Sequence, residues 1–472
     1  MNVTSRPVAL PLAALAWTVL ATLPLAGCPT QFLTVNNVTF DNPTLTVGGT
    51  SRIRVDAGSV LGRTIRITAL ADRGRVDPPT PTEQRVFTYY APFTSSYRDA
   101  SGNLVRGDTI RLVIQDGVEV RNQTIPVNLS GSSVVTVDSP DANGQGTLKW
   151  SICSDDTGSQ FGAPRDLRDS GGNVVKGAQP TIAPDGRLVA FVTYPNNGAN
   201  SAIVTMDAAG RQQVVIQGGD SFNLDPAWHP DSRTLAFVSD RRDRSTFALY
   251  SVLVGGGVTP NLIAGTQRNI RFPAWYPLTT GTLANRLLAS VQANDESEFS
   301  SRSAGLSAWN LFLFNQSGGL VERRITAFTN ASDFAMEPQW RPDGQLIAFT
   351  GAGPVQNQFS PGNSVQRIRV QRIANNAGSA VLLNGSLNGA VRESSPAWSP
   401  DGSRLLYLNL PAPGTQATDP PPMGTPQYQV LQDAVSNPNQ PLPAPLGNLM
   451  PGLRTRDLNQ ALFITGGSLS WR

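Results

Sequence analysis

An all-β fold in two parts is predicted for this chain, on three observations. Short runs rich in Val, Ile, Thr and Phe recur along its whole length, separated by Gly, Pro, Asp and Asn, the signature of strands and tight turns. A Pro-Asp-Gly phrase returns at wide intervals in the second part, which marks a structural repeat. The chain has 472 residues, too many for one ordinary core, yet 39% are hydrophobic, enough to build packed domains.

The first strand-rich region covers residues 28–131. Its apolar alternation falls at 32–35, 44–47, 52–55, 64–67, 85–90, 109–114 and 124–129. Such a density of strands with turn signals between them predicts a β-sandwich. The phrase Tyr90-Ala91-Pro92, followed by Gly107-Asp108-Thr109-Ile110 and the Asp116-Gly117 hairpin, resembles bacterial immunoglobulin-like domains. That resemblance implies a spacer or adhesive module and carries no chemistry of its own.

The second region, 132–472, holds the repeat. Its copies are Pro180-Thr-Ile-Ala-Pro-Asp-Gly186, Pro226-Ala-Trp-His-Pro-Asp-Ser232, Pro273-Ala-Trp-Tyr-Pro277, Pro338-Gln-Trp-Arg-Pro-Asp-Gly344 and Pro396-Ala-Trp-Ser-Pro-Asp-Gly402. An apolar strand follows each, as at 188–192, 235–238 and 346–349. Proline presets φ, Asp caps its own backbone and Gly accepts positive φ, so each phrase is a tight turn into a buried strand. The structural positions of the repeat are Ile182, Trp228, Trp275, Trp340, Trp398 and, at the chain end, Trp471. Their spacing suits four-stranded blades of a β-propeller. A final strand at Trp471 would complete a first blade begun near 133, giving six blades and no open sheet edge. The motif resembles that of TolB-like propellers. The third copy departs from it, with Leu278-Thr279-Thr280 in place of Asp-Gly, and no counterpart of TolB's own N-terminal domain is visible.

Residues 1–27 read as a secretory signal: Arg6 in a short basic start, an apolar stretch over 8–25, then small residues. Leu25-Ala26-Gly27-Cys28 resembles a bacterial lipobox, which implies diacylglycerol on the Cys28 sulfur and anchoring in the cell envelope. Pro29 in place of Asp resembles lipoproteins sent to the outer membrane. Cys153, the other cysteine, is then expected to be a small buried side chain.

The net charge of +3 comes without any run of five or more like charges, so nucleic acid is not an expected partner. The single histidine, His229, stands in the variable slot of the repeat and reads as a turn residue. There is no Gly-x-Ser-x-Gly and no stretch after the propeller for a hydrolase domain, and no cofactor motif. Asp138, Asp141 and Asn143 have a spacing reminiscent of a calcium loop but lack its distal Glu. Residues 154–161 approximate an Asp-box hairpin. The sequence therefore predicts an envelope-anchored binding or scaffold protein without catalysis, with a protein or glycan partner. The alternative is an enzyme acting on glycans or lactones through pore carboxylates. Three long connections, 294–305, 352–363 and 411–426, are expected to form the binding face, with Phe299, Phe359 and Met423 as apolar anchors and Glu298 and Arg302 at the rim.

Overall fold

A computed structural model describes residues 32–472, except 100–101, 139–140, 142–143, 155–160, 196–197, 218, 257–258, 301–306, 316–320, 353–365, 374–380, 383–390, 412–422, 431–454 and 457–468. Its elements are strands, apart from one 3-10 turn at Glu296–Ser300 among the described residues.

Residues 33–130 form two four-stranded sheets. In one, Leu33–Phe40, Thr50–Ser59, Val86–Tyr90 and Arg75–Asp77 lie side by side in that order; in the other, Thr44–Thr46, Val120–Ser130, Asp108–Gln115 and Arg66–Ala71 do. Strict alternation drives the packing. Ile53 and Val55 point inward between exposed Arg52 and Arg54. Ile110, Leu112 and Ile114 do the same from the facing sheet, and all meet Phe87 and Tyr89 in one core. The strand expected at 64–67 starts later and runs over Arg66–Ala71, because it pairs in register with Ile110–Gln115. Arg75–Asp77, Ser96–Arg98 and Leu104–Arg106 were not legible as strands, being too short to show alternation.

The rest of the described chain is a β-propeller built of four-stranded units. Each unit opens with a strand ending in the repeat motif: Lys176–Ile182, Asn223–Trp228, Ile270–Trp275, Phe334–Trp340 and Val391–Trp398. Its apolar partners, such as Leu188–Thr193 and Thr234–Ser239, are almost wholly buried between neighbouring units. Leu469–Trp471 pairs antiparallel with Ser132–Asp138, with Trp471 opposite Val134. The chain end thus hydrogen-bonds to the strand that begins the propeller, and the first unit has no exposed edge on that side.

The motif tryptophans join units as well as fill them. The indole N–H of Trp228 donates to the Thr181 carbonyl (3.1 Å), that of Trp340 to Ala274 (3.1 Å) and that of Trp398 to Gln339 (3.0 Å). The acceptor is each time the residue after the first motif proline of the preceding unit. Trp340→Phe is expected to keep most of the packing but strand the Ala274 carbonyl, at about 1–3 kcal/mol. A thermal melt of the variant measures this; an unchanged midpoint would show that the inter-unit bond contributes nothing.

The sandwich is not a loose spacer. Arg73 is 3% exposed, and its guanidinium donates to the carbonyls of Thr94 (2.5 Å), Ser95 (3.1 Å) and Gly107 (2.6 Å) and, across the boundary, to Asp185 in the first Pro-Asp-Gly turn (3.0 Å). The Phe93 N–H donates to Gly186 of the same turn (2.8 Å). The Phe93 ring meets Trp150 edge-on at 5.5 Å and joins a propeller core cluster. Gly48 lies so close to the Trp150 ring that a Cβ would sit 1.6 Å from it.

Candidate functional site

The repeat builds an axial channel. Within each inner strand the residue before the first motif proline has positive φ: Gln179 (51°), Asp225 (53°), Phe272 (53°), Glu337 (54°) and Ser395 (53°). The strand register slips at the same place in every unit. Proline has no N–H to give the ladder, so a bulge forms there, and the residue before it takes up the local strain.

These strained positions direct their side chains tangentially, to the next unit. Gln179 and Asp225 are joined twice: the Asp225 N–H donates to Gln179 Oε1 and Gln179 Nε2 donates to Asp225 Oδ1, both at 2.8 Å. Asp225 in turn accepts the Phe272 N–H (3.0 Å) and two bonds from Arg271, from Nε (2.6 Å) and Nη2 (3.1 Å). The Arg271 and Asp225 side chains are 1% and 3% exposed, and Arg271 lies over the Phe272 ring at 4.7 Å. Glu337 accepts from Ser395 N–H (2.7 Å), Ser395 Oγ (3.2 Å) and Thr350 Oγ1 (2.7 Å). Elsewhere in the propeller, Arg369 stacks on Phe328 at 5.2 Å; burial lowers its guanidinium to about 10, which leaves it cationic at neutral pH. Glu393 accepts the Ile368 N–H at 3.0 Å.

Between this belt and the Pro-Asp-Gly turns lies a cavity of about 130 Å³, lined by the motif prolines and tryptophans, by Gln179, Asp225 and Glu337, and at the chain end by Ser470 and Arg472. The residue between motif Pro and Trp also lines it. It is small in most units (Thr181, Ala227, Ala274 and Ala397, with Gln339 the exception), and this keeps the channel open. A cavity of this size holds about four waters, at ~30 Å³ each, or one side chain of a larger ligand, not a folded domain. A second cavity, of about 590 Å³, lies between sandwich and propeller beside Arg73, Arg75, Arg187 and Arg233. Three of those arginines are already engaged, Arg73 with carbonyls, Arg75 with Asp77 (3.4 Å) and Arg187 with Asp185 (2.5 Å).

The residues singled out from the sequence are distributed differently. Ile182, Trp228, Trp275, Trp340 and Trp398 are buried at the unit boundaries, and Trp471 lies in the closing strand. Glu298 turns inward: its carboxylate accepts from Ser307 Oγ (2.6 Å), the Asn294 N–H (3.0 Å) and Arg268 (3.2 Å). Burial opposes its ionisation, yet the Ser307 and Asn294 bonds hold its carboxyl below the usual range. Phe299 packs edge-on against Phe312 at 5.1 Å. Glu298 ties its loop together and to Arg268, and Phe299 packs the loop onto the propeller core. Arg302 and Phe359 lie outside the described residues. Met423 begins the strand Met423–Val430, and Cys28 and most of the Asp-box segment also lie outside the described residues. Cys153 is buried and not in a disulfide.

His229 is a half-structural turn residue. Its Nε2 meets Asn285 Oδ1 at 3.1 Å, its Nδ1 accepts the Asp231 N–H at 3.2 Å, and its ring abuts Trp275. Burial would raise the Asp231 carboxyl, but bonds from the amides of Thr234 and Arg233 and from the Thr234 hydroxyl outweigh it and hold the group below the ordinary range. Both ring nitrogens are occupied without a serine, so this histidine is not set up as the base of a nucleophile pair. Among the described residues no group of three or more His, Cys, Asp and Glu is arranged to hold a metal ion.

The belt residues were missed in the sequence. The signal was present: a polar residue directly before the motif proline in four of the five copies, Gln179, Asp225, Glu337 and Ser395.

No family model matches the chain. Over 129 residues it is 30% identical to the uncharacterised peptidase YuxL of Bacillus subtilis, a match that covers 26% of this chain and 19% of the relative. The chain therefore spans about a fifth of that relative's length. Among solved structures it is similar to TolB from Acinetobacter baumannii, at 13% identity and a TM-score of 0.42 over 87% of this chain and 83% of that one. A puromycin-hydrolysing peptidase of Mycobacterium tuberculosis is similar at 14% identity and a TM-score of 0.34, over 81% of this chain and 61% of that one. The expectation of a protein that is not an enzyme is corrected by the match to a relative named as a peptidase. It rested on the lone His229 and the absence of a nucleophile motif, and neither excludes hydrolysis by other groups.

Proposed function

We propose that this is a lipid-anchored protein of the bacterial cell envelope whose propeller binds an extended peptide across the mouth of its axial channel, with one side chain entering it. One observation carries the binding reading: the small-residue wall of Thr181, Ala227, Ala274 and Ala397 leaves a polar-floored channel open along the axis. Concave, largely preformed sites with a few fixed polar groups are where ligands bind. The relative named as a peptidase supports a peptide as the ligand class. The lipobox ending at Cys28 supports the anchor. The two sheets around one core support an immunoglobulin-like domain over 28–131, and the successive four-stranded units with the pairing of Trp471 and Val134 support a six-bladed ring.

The test is affinity selection of a synthetic hexapeptide library on the full chain, with masses read over time. A defined subset retained on the protein is expected; no retention above a denatured control would end the peptide reading. The same masses address a second reading, favoured by the peptidase match, in which bound peptides are hydrolysed. Time-dependent product masses would support hydrolysis, and retained peptides of unchanged mass after prolonged incubation would sink it.

A further inference from the structure

The sandwich carries a second surface, at the end from which the chain leaves toward Cys28. Two turns form it. One joins Thr50–Ser59 to Arg66–Ala71 and exposes Val60 (57%) and Leu61 (46%); the other joins Asp108–Gln115 to Val120–Ser130 and exposes Val118 (60%) and Val120 (55%). Both tips turn through glycines of positive φ, Gly62 and Gly117, where a Cβ would meet nothing within 4 Å. Single exposed apolar residues occur elsewhere, as at Val214, and need no explanation. Four at one end are a patch.

The chain exit lies in the middle of it. The Phe32 and Leu33 N–H groups both donate to Glu119 Oε2, at 3.0 and 2.6 Å, and the Val60 N–H donates to the Phe32 carbonyl at 2.8 Å. The two turns are tied together by Ser59 Oγ on Asp116 Oδ2 (2.8 Å), and Asp116 also accepts the N–H groups of Val118 and Glu119. The apolar tips are therefore held in place; Asp116 is turned toward backbone and hydroxyl donors, and Glu119 faces backbone N–H groups and Arg121 (3.7 Å). Arg63, Arg66 and Arg121 belong to the same turns and strand ends, and Arg63 and Arg66 are exposed. From Phe32 back to Cys28 is four residues, a reach of at most about 14 Å.

We infer that this end of the sandwich docks on the surface of an anionic phospholipid bilayer, with Val60, Leu61, Val118 and Val120 entering the headgroup–acyl boundary and the exposed Arg63 and Arg66 facing phosphates. The inference rests on the reading of Cys28 as a lipidated anchor. Apolar tips with a basic rim suit such an interface, and a lipid so near the exit brings this end, and no other, to the membrane. Docking would also fix the orientation of the propeller, because Arg73 and Phe93 hold the sandwich rigidly to it.

The test uses the full chain purified from bacterial membranes and reconstituted in phosphatidylethanolamine–phosphatidylglycerol vesicles. Leu61→Cys, Val118→Cys and the distant Val214→Cys are labelled separately with an environment-sensitive fluorophore; Cys153 is buried, and the parent chain gives the blank. Quenching by headgroup-proximal nitroxide lipids is expected to be at least fivefold stronger at 61 and 118 than at 214. Equal quenching at all three positions overturns the proposal, as does shielding from both lipid and aqueous quenchers together with Val118→Cys self-crosslinking, which would assign the patch to a second copy. Mass spectrometry of the Cys28 peptide reports acylation independently. An acylated chain without selective quenching defeats docking alone, and selective quenching on an unacylated chain defeats the anchor alone.

Discussion

Asp225→Ala is expected to destabilise the propeller by about 3–5 kcal/mol, because it leaves the buried Arg271 guanidinium without its counter-charge. Asp225 accepts two bonds from Arg271, one from the Phe272 N–H and one from Gln179, so three consecutive units lose contacts at once. On a domain of this size that is a fall in melting temperature of roughly 4–7 °C. The double variant Asp225→Leu/Arg271→Met separates charge from shape. Replacing a buried pair by apolar groups of similar volume is often neutral, so the double variant is expected to recover most of the loss. Calorimetry of the three chains decides. If Asp225→Ala alone melts within 2 °C of the parent, roughly the scatter expected for a neutral surface change, the belt does not hold the ring.

Arg73→Met is the second large effect. It removes the donor to four buried carbonyls, three in the sandwich and one in the first Pro-Asp-Gly turn. Leaving such acceptors unpaired costs on the order of 4 kcal/mol in total once relaxation is allowed. Burial itself lowers the Arg73 guanidinium, against the raising effects of Asp108 and Asp185; the apolar replacement therefore relieves a desolvated charge, which limits the loss. The diagnostic result is the shape of the melt. The parent chain is expected to unfold sandwich and propeller in one calorimetric transition, and Arg73→Met in two. A parent that already melts in two steps would show that the Asp185 and Gly186 contacts do not couple the parts.

Much of this fold was legible in the sequence because its determinants are local. Alternation at Ile53 and Val55 or Ile110 to Ile114, and the repeated Pro-Asp-Gly turns, encode strand and turn within a few residues. The repeat also placed Trp228, Trp340 and Trp398 at the unit boundaries. What could not be read was tertiary. Arg73 is one arginine among many in the sequence, and only the meeting of Gly107 with Asp185, 78 residues apart by numbering, makes it a latch. The loop residues Glu298 and Phe299 were chosen for exposure, but Ser307, Asn294, Arg268 and Phe312 draw them inward. Long loops on a propeller can stabilise themselves, and length alone does not separate that from binding. The polar residues before each motif proline lay in plain sight. Their meaning depends on the positive φ that the bulge imposes, and a repeat alignment does not reveal that.

Peptide binding by this propeller depends on the channel. Ala227 lines it and is only partly covered, so Ala227→Trp fills the axis without touching the belt bonds of Gln179, Asp225 or Arg271. The decisive measurement is an equilibrium titration of one hexapeptide retained by the parent chain against parent and Ala227→Trp, with a thermal melt of each. An affinity loss of at least a hundredfold, about 3 kcal/mol, with the melting temperature preserved, is the predicted result. Equal affinity in the two chains would contradict it and move the binding site off the axis.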